Sequence, residues 1–390
     1  MAPIRVGFIG LSKSGWAPLA HFPYLNASKD YQIVAICNTT VESAKEAVKL
    51  YNLTTETRTY GDPEGMSSAF YLCNFILFFA AHLTKDNEVD LVVCCVRVDR
   101  HFPTLAPSLK AGKDVYVEWP LAKSLPEARE FLRLKNEGGV KKAMVGLQAR
   151  KAPVVATLNK VIESGKIGDV LSSNWTGYGP DGGPTVTEAF EYMGSRAIGG
   201  NLVTIHLGHV VDYIQRGKFP FLGYGFQTPP KSLLANRRKT VQLVTPDGNV
   251  LEENHPKDSD DTIFLDGTLS TGIPISLTFR GGDPFPGTPG LDWRIYGSKG
   301  EIRVTVTGSL LSIGYLDVLV ELIENEKTEK EVIEVEADEF DERDEFGIWA
   351  RNVARVYKGF SKGEVVCSFE DAVERHAFLD GLYRENGYHG

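Results

Sequence analysis

Along the first 150 residues, short continuous apolar runs alternate with stretches whose apolar residues recur every three or four positions, the pattern of strands joined by crossover helices. Ile4–Gly10 reads as a buried strand, Gly15–Leu25 as a helix, Gln32–Cys37 as a strand and Val41–Tyr51 as a helix. Asp90–Val96 and Asp114–Glu118 read as two more strands around a helix over Phe102–Ala111, which Gly112 ends. Leu125–Asn136 reads as a helix with Ser124 as its cap and Gly138-Gly139 beyond its end, and Ala143–Gln148 as the last strand of this half.

After Lys151 the period changes. One helix, Pro153–Ser164, precedes longer alternating runs over Val170–Tyr178, Leu233–Val244, Thr262–Leu269, Ile273–Arg280, Asp292–Tyr296 and Glu301–Val306. Alternation without intervening helices favours an antiparallel or mixed sheet. Val203–Arg216 reads as a helix between that sheet and the first half, and Phe346–Gly359 and Phe369–Arg384 as closing helices. The expected class is therefore α/β: a doubly wound parallel sheet of Rossmann type over 1–148, then an α/β domain with an open, mainly antiparallel sheet over 149–390.

A length of 390 residues suits two cores of ordinary size. The net charge of −9 leaves no basic stripe to neutralise phosphates, which argues against direct nucleic-acid binding. The cysteines number five, an odd count without metal-type spacing, so reduced thiols and no metal are expected. No basic, apolar and small-residue series marks a leader near Met1, and the run Phe70–Ala81 falls short of the ~20 residues of a spanning helix. A cytoplasmic or nuclear protein off the membrane is the expectation.

Chemistry concentrates at strand ends. Gly10-Leu11-Ser12-Lys13-Ser14-Gly15 joins the first strand to the first helix, where glycines permit a tight turn and a close approach to a pyrophosphate. Ser12 stands where the second glycine of the G-x-G-x-x-G pattern would be. The second strand ends at Asn38-Thr39-Thr40 and not at an acid, so NAD and NADP both stay open as cofactors. Val96, Arg97 and His101 follow one parallel strand and Glu118, Trp119 and Pro120 another, on the rim where such sheets bind ligands.

These segments resemble the glucose–fructose oxidoreductase, inositol dehydrogenase and rhizopine-catabolism (Gfo/Idh/MocA) family. The likeness continues through Gly165-Lys166-Ile167-Gly168-Asp169, Gly199-Gly200-Asn201-Leu202, His209-Val210-Val211-Asp212 and Tyr296-Gly297-Ser298-Lys299-Gly300. Within it, Gly15-Trp16-Ala17, His21-Phe22-Pro23, Glu118-Trp119, Leu147-Gln148-Ala149-Arg150-Lys151 and Gly208-His209 resemble the fungal galactose-regulatory repressor branch. The resemblance implies a nicotinamide dinucleotide between two domains, with Gln148 also at the cofactor, and a small-molecule substrate. Open antiparallel sheets commonly pair face to face, so a homodimer is expected.

In family enzymes a Glu-Lys-Pro turn sets a lysine beside the nicotinamide, and a histidine of the Gly-x-His-x-x-Asp helix accepts the proton. Here Trp119 replaces that lysine, and Ile205 stands where an aspartate usually precedes the histidine by four residues. His209 remains, His206 shares its helix face, and Arg150, Lys151 and Tyr178 are candidates to orient a substrate. The leading expectation is an NAD(P)-dependent oxidoreductase on a sugar-like or polyhydroxylated compound, with His209 and Lys151 catalytic. Its rival is a non-catalytic, dinucleotide-binding regulator that contacts a protein partner.

Between Met66 and His82 the resemblance breaks at an extra apolar stretch, Phe70–Phe79. A partner contact, an added core helix and extra coding sequence all account for it, the last best, since the flanking motifs join naturally without it.

Overall fold

The computed structural model describes residues 2–61, 87–179, 181–216, 225–307, 318–343 and 345–388, so the stretch from Met66 to His82 lies outside the described residues. The chain forms two compact units. Residues 1–148 and 339–376 make the first, and residues 149–338 and 377–390 the second. The segment 339–376, which reads in the sequence as part of a second domain running to the C-terminus, thus packs with the first unit.

The first unit is a parallel sheet in the order β3-β2-β1-β4-β5-β6. Its strands are β1 (Ile4–Ile9), β2 (Tyr31–Cys37), β3 (Arg58–Tyr60), β4 (Leu91–Cys94), β5 (Asp114–Glu118) and β6 (Ala143–Gly146). Between them run the helical segment Ala17–His21 continuing into α1 (Phe22–Ala27), then α2 (Val41–Leu50), α3 (His101–Lys110) and α4 (Leu125–Glu137). Thr40 and Ser124 accept from the backbone of Ser43 and Glu127, capping α2 and α4 as their side chains allow. The strand order reverses between β1 and β4, which is where open parallel sheets receive ligands.

The returning segment completes this core for a simple reason. In α7 (Ile348–Ser361), Ala350, Val353, Ala354, Tyr357 and Phe360 recur at helical spacing and are buried with Val6, Phe8, Leu91 and Val93 of the sheet. Each large apolar side chain buried this way is worth about 1.5–3 kcal/mol.

The second unit carries an eight-stranded sheet in the order β17-β16-β15-β14-β7-β13-β12-β9. β7 is Val170–Gly179, β9 Lys231–Ala235, β12 Thr262–Thr268, β13 Pro274–Gly281, β14 Leu291–Gly297, β15 Gly300–Val306, β16 Val318–Glu324 and β17 Glu331–Ile333. Only β7 and β13 run parallel; the other neighbours are antiparallel. A separate sheet joins β8 (Thr185–Thr187), β10 (Thr240–Val244) and β11 (Val250–Pro256). Leu233–Val244, a single run in the sequence, therefore splits between two sheets at Asn236.

α5 (Pro153–Glu163) opens this unit. The expected helix over Val203–Arg216 is a wide turn, Leu202–Leu207, followed by α6 (Gly208–Arg216). Asn201 starts it with a capping box, accepting from Val203 and Thr204 while Thr204 returns its side chain to the Asn201 amide. α8 (Phe369–Glu385) closes the chain. Among the described residues no helix is long and apolar enough to cross a membrane.

Candidate functional site

The turn after β1 is shaped by what it must approach. Gly10 has φ +92°, and a Cβ there would lie 2.4 Å from the Cys95 carbonyl oxygen and 2.7 Å from Val96 Cγ1. Only glycine lets the chain pass this close to the end of β4. Ser12, Lys13, Ser14 and Gly15 are exposed. Ser12 does not point its hydroxyl outward; Oγ donates to the Ser14 carbonyl at 2.7 Å and so closes the turn on itself. Tyr51 donates to the Ser12 carbonyl at 2.5 Å from α2.

Asn38, at the end of β2, reaches across this turn. Its Nδ2 donates to the carbonyls of Leu11 at 2.8 Å and Ser43 at 3.3 Å. Two acceptors on one side set the amide, and leave Oδ1 buried with no hydrogen-bond partner among the described residues. A cradle that a Cβ would fill, an exposed turn and an orphaned acceptor fit the adenosine and pyrophosphate half of a dinucleotide.

The remaining rim residues divide by what their side chains do. Arg97 grips Asp99 through two hydrogen bonds of 2.6 and 2.8 Å. His101 is buried, with Nδ1 3.0 Å from the Pro120 carbonyl and Nε2 3.0 Å from that of Val96. Burial lowers its pKa below the ordinary histidine range. A neutral ring donates its single N–H to one of these carbonyls at a time, and both nitrogens are turned toward the protein and not toward a ligand. Trp119, joined to Pro120 through a cis peptide, is buried with its indole against His376. Gln148 is buried as well.

In the second unit the strand period decides the grouping. Trp175 and Phe279 are buried on one face of the sheet; Trp175 donates to Tyr213 of α6 at 2.8 Å, and Tyr213 lies 5.7 Å from Trp293. His206 lies on that side, its ring 6.4 Å from Phe279. Tyr178, an odd number of residues from Trp175 on β7, points to the opposite face, where the Arg280 guanidinium stacks 4.5 Å over its ring. The expectation that Tyr178 joins the histidines is therefore corrected. Alternation along a strand separates them.

Arg150, half-buried, forms a bidentate pair with the buried Asp212 of α6, both bonds 2.8 Å. This anchors the histidine helix and removes Arg150 as a ready substrate cation. Lys151 and His209 are half-buried. His206 Nε2 lies 3.3 Å from the Asp181 carboxylate, and its Nδ1 is buried without a hydrogen bond among the described residues. Asp181 escaped the sequence reading; its only signal is the turn Asp181-Gly182-Gly183 shortly after β7. The aspartate missing at Ile205 is thus matched by a carboxylate from elsewhere in the chain.

Residues 4–147 match the oxidoreductase family with an NAD-binding Rossmann fold, Gfo/Idh/MocA, and residues 153–306 match the C-terminal domain of Gal80p. The dehydrogenase aclE of Aspergillus oryzae is 30% identical over 322 residues, covering 77% of this chain and 76% of its own. The galactose/lactose metabolism regulatory protein GAL80 of Saccharomyces cerevisiae is 28% identical over 319 residues, covering 78% of this chain and 67% of its own. Among solved structures, levoglucosan dehydrogenase in complex with NADH and L-sorbose superposes with a TM-score of 0.73 at 18% identity, covering 99% of this chain and 97% of the other.

Proposed function

This chain belongs to the Gfo/Idh/MocA family of NAD-binding oxidoreductases, and on that premise we propose that it is a dehydrogenase or reductase of sugar-like, polyhydroxylated compounds. The observation that carries the proposal is the His206–Asp181 pair one helical turn from His209. An imidazole beside a carboxylate is the kind of group and setting that a general base requires. When bound, the nicotinamide takes or returns the hydride. The chain's own part is to accept the hydroxyl proton at His206 or His209 and to orient the oxygen through Lys151.

NAD(H) is favoured over NADP(H) by Asn38. Its unpaired Oδ1 suits a ribose hydroxyl, which donates, and opposes a 2′-phosphate, which only accepts. A homodimer joined through the outer sheet face is part of the same proposal. It is supported by the exposed Leu233, Phe264 and Leu319, which lie in one register row across the sheet.

The second reading, a dinucleotide-binding regulator acting through a protein partner, is favoured by one residue. Trp119 fills the lysine position with a buried indole, which has one donor and no charge. Calorimetry with NADH, followed by cofactor-reduction assays over a sugar and polyol panel, separates the two. Turnover that falls about 100-fold or more in His206→Gln or His209→Gln supports the enzyme. NADH binding without turnover on any substrate supports the regulator.

A further inference from the structure

Glu118 ends β5 on the ligand rim, yet its carboxylate is bonded inward. Oε1 lies 2.8 Å from His21 Nε2, and His21 Nδ1 lies 2.8 Å from the Tyr357 hydroxyl. His21 has no exposed surface, so these are the two partners of a fully enclosed ring. A carboxylate can only accept, which places the imidazole proton on Nε2. The Tyr357 O–H then donates into the lone pair of Nδ1. Burial pushes the Tyr357 phenol well above its ordinary range, so that O–H is retained. Tyr31 donates to the Tyr357 carbonyl at 2.6 Å and fixes this turn of α7. On the other side, a Cβ on Gly146 would lie 2.6 Å from Oε1 and 2.9 Å from Oε2, so β6 carries glycine where the carboxylate sits. Oε2 has no hydrogen bond among the described residues.

We propose that Tyr357 and His21 are positioning residues that aim the Glu118 carboxyl group, with Oε2 reserved for a hydroxyl or amide donor of the bound dinucleotide. The inference rests on the dinucleotide reading of the first unit given above. The tyrosine locks the histidine tautomer; the tautomer aims the carboxylate. The other titratable groups around the pair, among the described residues, are Tyr116 of β5, Tyr24 of α1, Tyr31 of β2, Cys94 and Cys95 at the end of β4, and His101 of α3. Burial raises Tyr31, Cys95 and Cys94, the last to about 12, and lowers His101, which keeps all four neutral near pH 7.

Tyr357→Phe removes one oxygen and leaves the ring packing. Without that donor nothing fixes which nitrogen of His21 carries the proton, and a ring protonated on Nδ1 gives Glu118 no donor. NADH affinity of Tyr357→Phe is expected to fall about tenfold below that of the wild type. His21→Gln, whose amide can donate to Glu118 and accept from Tyr357, is expected to keep wild-type affinity, whereas His21→Ala loses it. Histidine-selective 15N spectra, assigned by the His21→Gln variant, supply a readout independent of the cofactor: the His21 proton on Nε2 in the wild type, and both tautomers populated in Tyr357→Phe. Equal NADH affinities of wild type and Tyr357→Phe, or a proton on Nδ1 in the wild type, would overturn the proposal with the dinucleotide reading intact. A wild-type protein that binds no NADH would overturn the dinucleotide reading itself, and the reserved role of Oε2 with it.

Discussion

The indole of Trp119 lies against the imidazole of His376, ring centroids 4.9 Å apart and planes tilted by 43°. The Ala122 amide approaches His376 Nε2 at 3.4 Å, so that nitrogen acts as an acceptor and the ring is neutral. Burial, with a smaller contribution from His101, depresses the His376 pKa to about 3. A histidine whose folded-state pKa lies below its unfolded value of about 6.5 is protonated more readily by the unfolded chain. Its contribution is therefore complete above about pH 6.5 and is lost as the pH falls toward 3, by up to about 1.4 kcal/mol per pH unit. Urea unfolding at pH 6.5 and pH 5 should show the wild type losing about 2 kcal/mol more than His376→Phe.

Trp119→Lys tests the same pocket from its other side. The variant forfeits a buried indole and places an ammonium against a neutral ring, and a stability loss of at least about 3 kcal/mol is expected. Trp119→Phe should cost less. Denaturant midpoints of the two variants decide this, and the folded fraction of Trp119→Lys can be assayed for polyol turnover, which the enzyme reading expects to rise.

The glycine turn serves folding and binding at two neighbouring positions. Gly10→Ala drives a Cβ into the Cys95 carbonyl and is expected to lower stability before any ligand is added. Ser12→Asp removes the hydroxyl donor to the Ser14 carbonyl and should lower stability by about 1 kcal/mol. It also adds a negative charge to the turn proposed to hold the pyrophosphate, so NADH affinity should fall about ten- to one-hundredfold by calorimetry.

Residues 339–376 supply one wall of the dinucleotide-binding unit. A fragment ending at Gln148 is expected to show no cooperative thermal transition. A fragment in which residues 339–376 are joined back through a flexible linker should recover one, together with NADH binding. Cooperative melting of the short fragment alone would contradict this account of the core.

On the outer sheet face, Phe264 pairs directly with Leu233 and both are exposed. Phe264→Lys is expected to convert a dimer into a monomer in sedimentation equilibrium, with an unchanged circular dichroism spectrum. A wild-type protein that sediments as a monomer would remove the dimer from the proposal.

Much of this architecture was legible along the chain because it rests on short-range rules. The positive φ of Gly10 and Gly15, the hydroxyl caps at Thr40 and Ser124, and the alternation of β7, β12 and β13 all follow from neighbours within a few residues. Periodicity alone indicated a parallel sheet followed by an antiparallel one. The dinucleotide turn was recognisable by its position at the first strand-to-helix junction, despite the serine at position 12.

Partners far apart in sequence were decided only by tertiary structure. Nothing local brings Tyr357 to His21 across 336 positions, or selects Asp181 for His206 and Asp212 for Arg150. Buried polar groups must find partners wherever the packed chain offers them, since an unpaired one costs about 1–3 kcal/mol. The same packing drew residues 339–376 back onto the first sheet, whose apolar face needed covering, and the two-residue period of β7 set Tyr178 on the face away from Trp175. Local patterning determined which elements this chain forms; the requirement to close two cores without stranded polar atoms determined which of its side chains meet.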